Sequence, residues 1–181
     1  KFKVLSIGSF KYEKDFETLI KSISLIKDNR NISVVILGEG KDRFRIESLI
    51  KELNLQNIIN LPGFKENVND YYSSADLFIS SSIHEGFGNV IADALSYGIK
   101  IISSNSGGSN DILCDGKYGD MFNPRDYVTL SNLIVKNIKY KITYNQINKN
   151  KERALSFDIQ KISNEYINFI LNVIWKTPIA K

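Results

Sequence analysis

Short apolar runs alternate with longer amphipathic stretches along most of this chain. "FKVLSIG" (2–8) is almost continuously apolar and predicts a buried strand. In "DFETLIKSISLIK" the residues Phe16, Leu19, Ile20, Ile23 and Ile26 recur at helical spacing and share one face. "ISVVILG" predicts a second strand ending at Gly38, and "DRFRIESLIKELN" a second helix with Ile46, Leu49, Ile50 and Leu53 together. "NIINLPGF" reads as a short strand and turn, "VNDYYSSA" as a short helix, and "DLFISSS" as a strand. "NVIADALSYG" is a helix stopped by glycine, and "IKIISS" is the next strand. "GGSNDILC" follows as a turn and short helix, then "YGDMF" as a last strand. From about Asp126 to Trp175 the pattern is helical. Its final stretch carries Ile159, Ile162, Tyr166, Phe169, Ile170 and Val173 at helical spacing, which predicts a core-packed helix.

Strand and helix thus alternate at least five times, and the strands lack a polar face. Sheets covered on both sides require such strands. The expected architecture is α/β, a Rossmann-like, doubly wound parallel sheet with helices on both faces and right-handed crossovers. Ligands in such folds bind beyond the carboxyl ends of the strands. The loops at 8–14, 38–41, 61–65, 81–89 and 103–110 therefore hold the candidate chemistry. No repeat, low-complexity tract or linker divides the chain, and 1–181 is expected to be one domain.

"HEGFGNVIADALSYG", His84 to Gly98, carries the strongest chemical signal. A helix starting near Gly88 or Asn89 leaves its first N–H groups without internal partners, at the positive end of the helix dipole. That is an anion site, and Gly86 and Gly88 let a phosphate approach the backbone closely. Glu85 would overhang such an anion and is suited to accepting hydrogen bonds from hydroxyls beside it. Asp93, eight positions on, falls at the rim of the helix's apolar arc. Hydroxyls, phosphates and hydroxyls in a row describe a nucleotide sugar. Taken singly, Asp93 also fits a solvated first-turn position that complements the dipole, and the glycines require no more than a turn.

Composition adjusts this picture in few places. The chain is 43% hydrophobic and 24% charged, as for a globular domain with a real core. The net charge of +4 favours anionic ligands or an anionic membrane surface, but forms no basic stripe of the kind nucleic acid requires. The single cysteine, Cys114, excludes an internal disulfide and a CxxC knuckle, so a reducing compartment is expected. Cys114 itself reads as a small apolar residue. His84 is the only histidine and has no second histidine with which to share a metal. "GEGKDR" matches neither phosphate-loop pattern and reads as a strand-to-helix turn. No apolar run reaches the ~18 residues of a membrane span. The chain opens on lysine, with no signal peptide in view, and a fragment or processed chain is expected.

"SSIHEGFGNVIADALSYGIKIISSNSGGSNDIL" resembles the signature of the C-terminal, donor-binding domain of GT-B glycosyltransferases of the retaining family 4. "IGSFKYEKDFETLI", "VVILGEGKDRFRIESLIKELNL", "NIINLPGF" and "ADLFISSSIHEGFG" are similar to its other blocks, in order. The resemblance implies transfer of a hexose from a nucleoside diphosphate, UDP by family prior, to an acceptor hydroxyl with retention, without metal or other cofactor. Glu85 would contact the transferred sugar. Gly86, Phe87, Gly88 and Asn89 would hold sugar and diphosphate, and Asp93 the ribose. Lys14 would neutralise the leaving diphosphate, and Gly63 and Phe64 lie where the nucleobase packs. Two positions depart from the family: Asp93 replaces a glutamate, and Ser9 stands where a diphosphate-binding arginine is usual. An inactive nucleotide-sugar-binding module of the same fold is the alternative. The resemblance further implies that an N-terminal acceptor domain is absent, that this half alone binds donor and turns over little, and that the last helix can cross to that domain. By analogy the setting is cytoplasmic glycan or polysaccharide synthesis, at the inner membrane face if the acceptor is lipid-linked.

Overall fold

The structure is a computed structural model that describes residues 1–28 and 31–176, with side chains described as far as Leu171. Six strands carry the fold: β1 (Phe2–Ile7), β2 (Ile32–Leu37), β3 (Ile59–Gly63), β4 (Leu77–Ser80), β5 (Lys100–Ser104) and β6 (Asp120–Phe122). The helices between them are α1 (Phe16–Ser24), α2 (Arg43–Glu52), α3 (Asn69–Ser74), α4 (Asn89–Ser96) and α5 (Gly108–Leu113). Three more follow β6: α6 (Tyr127–Lys139), α7 (Tyr144–Leu155) and α8 (Ile159–Lys176).

All strand pairs are parallel, in the order β3-β2-β1-β4-β5-β6. This is the doubly wound sheet expected from the apolar strand runs. One face is covered by α1, α2 and α6, whose Phe16, Leu19, Ile46, Ile50, Leu130 and Ile134 meet Val4, Val34 and Ile79 of the sheet. The other is covered by α3, α4 and α5, whose Tyr72, Ile91, Leu95 and Ile112 meet Leu5, Phe78 and Ile101. Sheet residues alternate between these clusters because successive side chains of a strand point to opposite faces. Each face thus needs its own apolar set, which is why the strands read as unbroken runs. Asp15 and Asp126 start α1 and α6 by accepting from the backbone N–H of Thr18 and Thr129, and Thr143 does the same for α7 through Gln146.

The last helix corrects the sequence reading. The stripe of α8 does not pack into the core: Ile159 is 78% exposed, Tyr166 66% and Phe169 64%, and Ile162 and Ile170 are exposed as well. Val173 belongs to the same stripe, but its side chain lies outside the described residues. The reason is architectural. Both faces of the sheet are already roofed, and α7 packs against α4 as an outer layer, with Ile147 and Lys151 against Gly98. Cys114 is exposed and caps α5 in a left-handed conformation with φ 47°. Among the described residues no helix is long and apolar enough to cross a membrane.

A chain ending at Asp158 is therefore expected to keep the fold. Thermal unfolding should remain cooperative and change stability by no more than about 1 kcal/mol, as for surface changes elsewhere; a larger loss would show that α8 packs where its exposure says it does not.

Candidate functional site

The strand order reverses between β1 and β4, which run side by side in the middle of the sheet. At such a point the two outgoing loops turn to opposite faces and leave a crevice between them. Here those loops are 8–15 after β1 and 81–88 after β4. A 3₁₀ turn, Tyr12–Lys14, and Asp15 in a left-handed conformation (φ 43°) end the first loop. The stem of Lys14 lies against Gly8, within 3.3 Å of where a Cβ would stand. Its ammonium reaches across the crevice to Glu85, with Nζ 2.6 Å from Oε2 and the two side chains 23% and 13% exposed.

Serines fix this pair. Ser82 donates to the same Oε2 of Glu85 at 3.0 Å, and Ser81 donates to the Lys14 carbonyl at 3.1 Å. The Ile83 N–H donates to the Glu13 carbonyl at 2.8 Å, which stitches the two loops together. Behind them, Ser104 donates to the Ser82 carbonyl and Ser109 to the Ser104 carbonyl. Glu85 Oε1 makes no hydrogen bond among the described residues. A charged carboxylate is thereby held by one oxygen and offers the other. The Glu85 backbone is fixed as well: its N–H donates to the Ser106 carbonyl at 3.0 Å, and its carbonyl accepts from the Gly108 N–H at 2.9 Å.

The glycines have different reasons to be glycine. Gly88 sits left-handed (φ 92°) immediately before α4, and no side chain caps the helix. Its carbonyl already accepts from the N–H of Ile91 and Ala92. The N–H groups of Asn89 and Val90, one turn too early for an intrahelical acceptor, point out of the helix end. Gly108 must be glycine because a Cβ there would strike the carbonyl oxygens of Gly86 and Phe87. Gly86 has no such need: its φ is ordinary, and a Cβ would meet nothing within 4 Å. The absent side chain keeps open space above the backbone, as a close-lying ligand would require.

Asp93 lies one turn into α4, and its carboxylate makes no hydrogen bond or ion pair among the described residues. Partial burial raises its pKa above the ordinary aspartate value. It lines a cavity of about 520 Å³ with Ser96, Lys151, Phe157 and Asp158. Gly63 and Phe64 are not gathered with the Lys14–Glu85 pair. They end β3, which lies two strands from β1, beside Glu39 and Arg43, with Phe64 68% exposed. His84 is exposed, and no metal-ready cluster of three His, Cys, Asp or Glu occurs among the described residues.

The sequence reading missed the support beneath Phe87. Phe87 packs edge-on against Phe157, with ring centroids 5.5 Å apart, and the Arg153 guanidinium lies 4.5 Å over Phe157. Arg153 also donates to the Ile112 and Asp111 carbonyls near the end of α5. Its i, i+4 spacing from Phe157 was the available signal, but nothing in it names Phe87 as the partner.

A doubly wound sheet with a glycine loop and an uncapped helix at its switch point is the architecture of one Rossmann-like half of a GT-B glycosyltransferase. Residues 1–154 match the profile of the family described as glycosyl transferases group 1, and the chain belongs to that family. It is 28% identical to the N-acetylgalactosamine-N,N'-diacetylbacillosaminyl-diphospho-undecaprenol 4-alpha-N-acetylgalactosaminyltransferase of Campylobacter jejuni, over 93% of this chain and 46% of that protein. It is 31% identical to protein CapJ of Staphylococcus aureus, over 95% of this chain and 44% of that one. The chain thus spans about half the length of these relatives. Its fold superposes on Anabaena Alr3699/HepE, solved in complex with UDP, with a TM-score of 0.86 at 20% identity, over 95% of this chain and 49% of that one.

Two stability outcomes follow from this geometry. Gly108→Ala is expected to cost about 1–3 kcal/mol in chemical unfolding, whereas Gly86→Ala should stay within about 1 kcal/mol of the parent. Asp93 ionises less readily folded than unfolded, so between its unfolded value of 3.8 and its higher folded value the folded chain holds more protons. Stability therefore falls as pH rises through that window, and the ionised carboxylate is a standing cost above it. Thermal melts of Asp93→Asn should exceed the parent at neutral pH, with the advantage vanishing as pH drops below the unfolded aspartate value.

Proposed function

We propose that the chain is the donor-binding half of a retaining glycosyltransferase. It would move a hexose from a nucleoside diphosphate, UDP first, to an acceptor hydroxyl in glycan or polysaccharide synthesis. The observation that carries this reading is the Lys14–Glu85 pair beside the uncapped start of α4, at the switch point of a group 1 glycosyl transferase fold. Anabaena Alr3699/HepE, similar in fold, was solved with UDP, which supports the uridine nucleotide.

The costly event in such a transfer is departure of the diphosphate from an oxocarbenium-like centre. Donors preorganised on the leaving group lower that barrier. Lys14 and the N–H groups at Gly88, Asn89 and Val90 are such donors, and they serve without a metal ion. The diphosphate takes the place of the Glu85 carboxylate at Lys14. The free Oε1 of Glu85 accepts hydroxyls of the sugar and orients it. Asp93, exposed and unpartnered among the described residues, accepts the ribose hydroxyls, and the exposed ring of Phe64 just after β3 offers a face to the base. The reacting acceptor hydroxyl is held by a second half, so this chain alone binds donor and transfers little. The Campylobacter relative's name contains diphospho-undecaprenol, which supports a lipid-linked acceptor met at the inner membrane face. An inactive module of the same fold would bind donor equally well; the shorter Asp93 and Ser9 in place of an arginine favour it, and sugar transfer by the joined halves would exclude it.

Calorimetric titration with UDP, GDP and ADP tests the reading. One nucleotide should bind, and EDTA should leave that binding unchanged. Asp93→Ala, Gly86→Ala and Lys14→Ala should each weaken it by about tenfold or more, or about 1.4 kcal/mol. Affinity should fall as pH drops through the raised pKa of Asp93, because the ribose hydroxyls need the ionised carboxylate. Failure of all three nucleotides to bind would sink the proposal.

A further inference from the structure

A second cavity, of about 280 Å³, opens over the first turn of α1 on the other side of the loop that carries Lys14. We propose that it is a saccharide subsite that takes an uncharged pyranose ring of the acceptor glycan; this deepens the transferase reading and rests on it. No residue assigned above to the donor lines this cavity.

Its lining is what a neutral, hydroxyl-rich ring requires. Phe16 and Ile46, both buried, form an apolar floor, and Tyr12 and Tyr127 stand exposed at its sides. Aromatic faces of this kind cover the C–H faces of sugars while their hydroxyls bond at the edge. The charges at the rim nearly cancel one another. Glu17 is taken by Lys21 at 2.6 Å and by Arg45. Asp15 is taken by Thr18, and Arg125 donates to the Tyr12 hydroxyl and lies 5.6 Å over its ring. Lys11, Lys21, Arg45 and Arg125 thus face Asp15, Glu17 and Asp42, one positive charge in excess, and Asp42 and Lys11 are the two with no side-chain partner among the described residues. Asp42 starts α2 without capping it, and its carboxylate has no partner among the described residues. A phosphate in this cavity would meet an unpaired carboxylate, whereas a polyol finds an acceptor in Asp42 and a donor in Lys11.

Two further observations agree. Asp15 and Arg125, both lining the cavity and neither a glycine, hold left-handed backbones with φ 43° and 69°. Strain of this kind collects where a fold shapes a site. The cavity also shares a wall with the donor crevice. Ile83 lines it, stands two residues before Glu85, and is hydrogen-bonded to Glu13 at 2.8 Å. A ring bound here lies across the 8–15 loop from the Lys14–Glu85 pair.

Amide-shift NMR on the 181-residue chain, saturated with UDP to occupy the donor loop, tests this. The probes are the methyl α-glycosides of glucose, galactose and N-acetylgalactosamine, with inorganic phosphate as the charged comparison. At least one glycoside should shift the amides of Thr18, Arg45 and Tyr127 at millimolar concentration. Asp42→Asn and Tyr127→Ala should each weaken that response by about fivefold or more while leaving amides outside the cavity unmoved. Three results overturn the proposal: no glycoside shift at those amides, a stronger response to phosphate, or unchanged binding in both variants. The UDP-dependent shifts of residues 85–93 are read separately, so a failed donor site and a failed saccharide subsite give different spectra.

Discussion

The reversal of strand order between β1 and β4 is the constraint on which the rest of the site depends. Parallel neighbours whose crossovers leave to opposite faces cannot close their loops over one another, so the sheet edge stays open there. The chain fills that opening with polar groups that satisfy each other. Lys14 and Glu85 are both largely withdrawn from water, and a charge so placed needs a partner. Each is that partner for the other. A ligand bearing both anionic and hydroxyl groups can offer an anion to Lys14 and hydrogen-bond donors to Glu85.

Small hydroxyls make the opening rigid. Loops at the carboxyl ends of parallel strands leave backbone carbonyls that no neighbouring strand satisfies, and a buried carbonyl without a donor is costly. Ser81, Ser82, Ser104, Ser106 and Ser109 are all buried, and together they bond to the carbonyls of Lys14, Ser82 and Ser104, to the Glu85 carboxylate and to one another. Alanine at these positions would leave the carbonyls without their donors. The serine-rich ends of β4 and β5 thus hold the shape of the crevice, while the apolar parts of the same strands hold the sheet.

Much of the fold was legible because local rules and the global answer agree. Unbroken apolar runs named the strands, and the period of Phe16, Leu19, Ile20 and Ile23 named α1 and its buried face. The glycine turn before α4 was legible for the same reason, since a left-handed residue followed by a helix has few other readings. The Lys14–Glu85 contact was not legible from local pattern, because its partners lie 71 residues apart and meet only through the strand order; the family resemblance named both residues without naming their pairing. The exposed stripe of α8 misled because amphipathic spacing reports that a helix has an apolar face and says nothing of what covers it.

The contact between Phe87 and Phe157 has a consequence for modular exchange. Phe157 lies in the short joint between α7 and α8, outside the strand–helix units that build the sheet, yet its ring supports the aromatic of the glycine loop. Arg153 fastens the same joint to the end of α5. The working unit is therefore longer than the sheet and its covering helices. A recombination boundary drawn at the close of α6 would preserve every strand and still remove the prop from the loop. Splices that graft this half onto a foreign partner belong beyond Phe157, where the chain has finished supporting its own crevice.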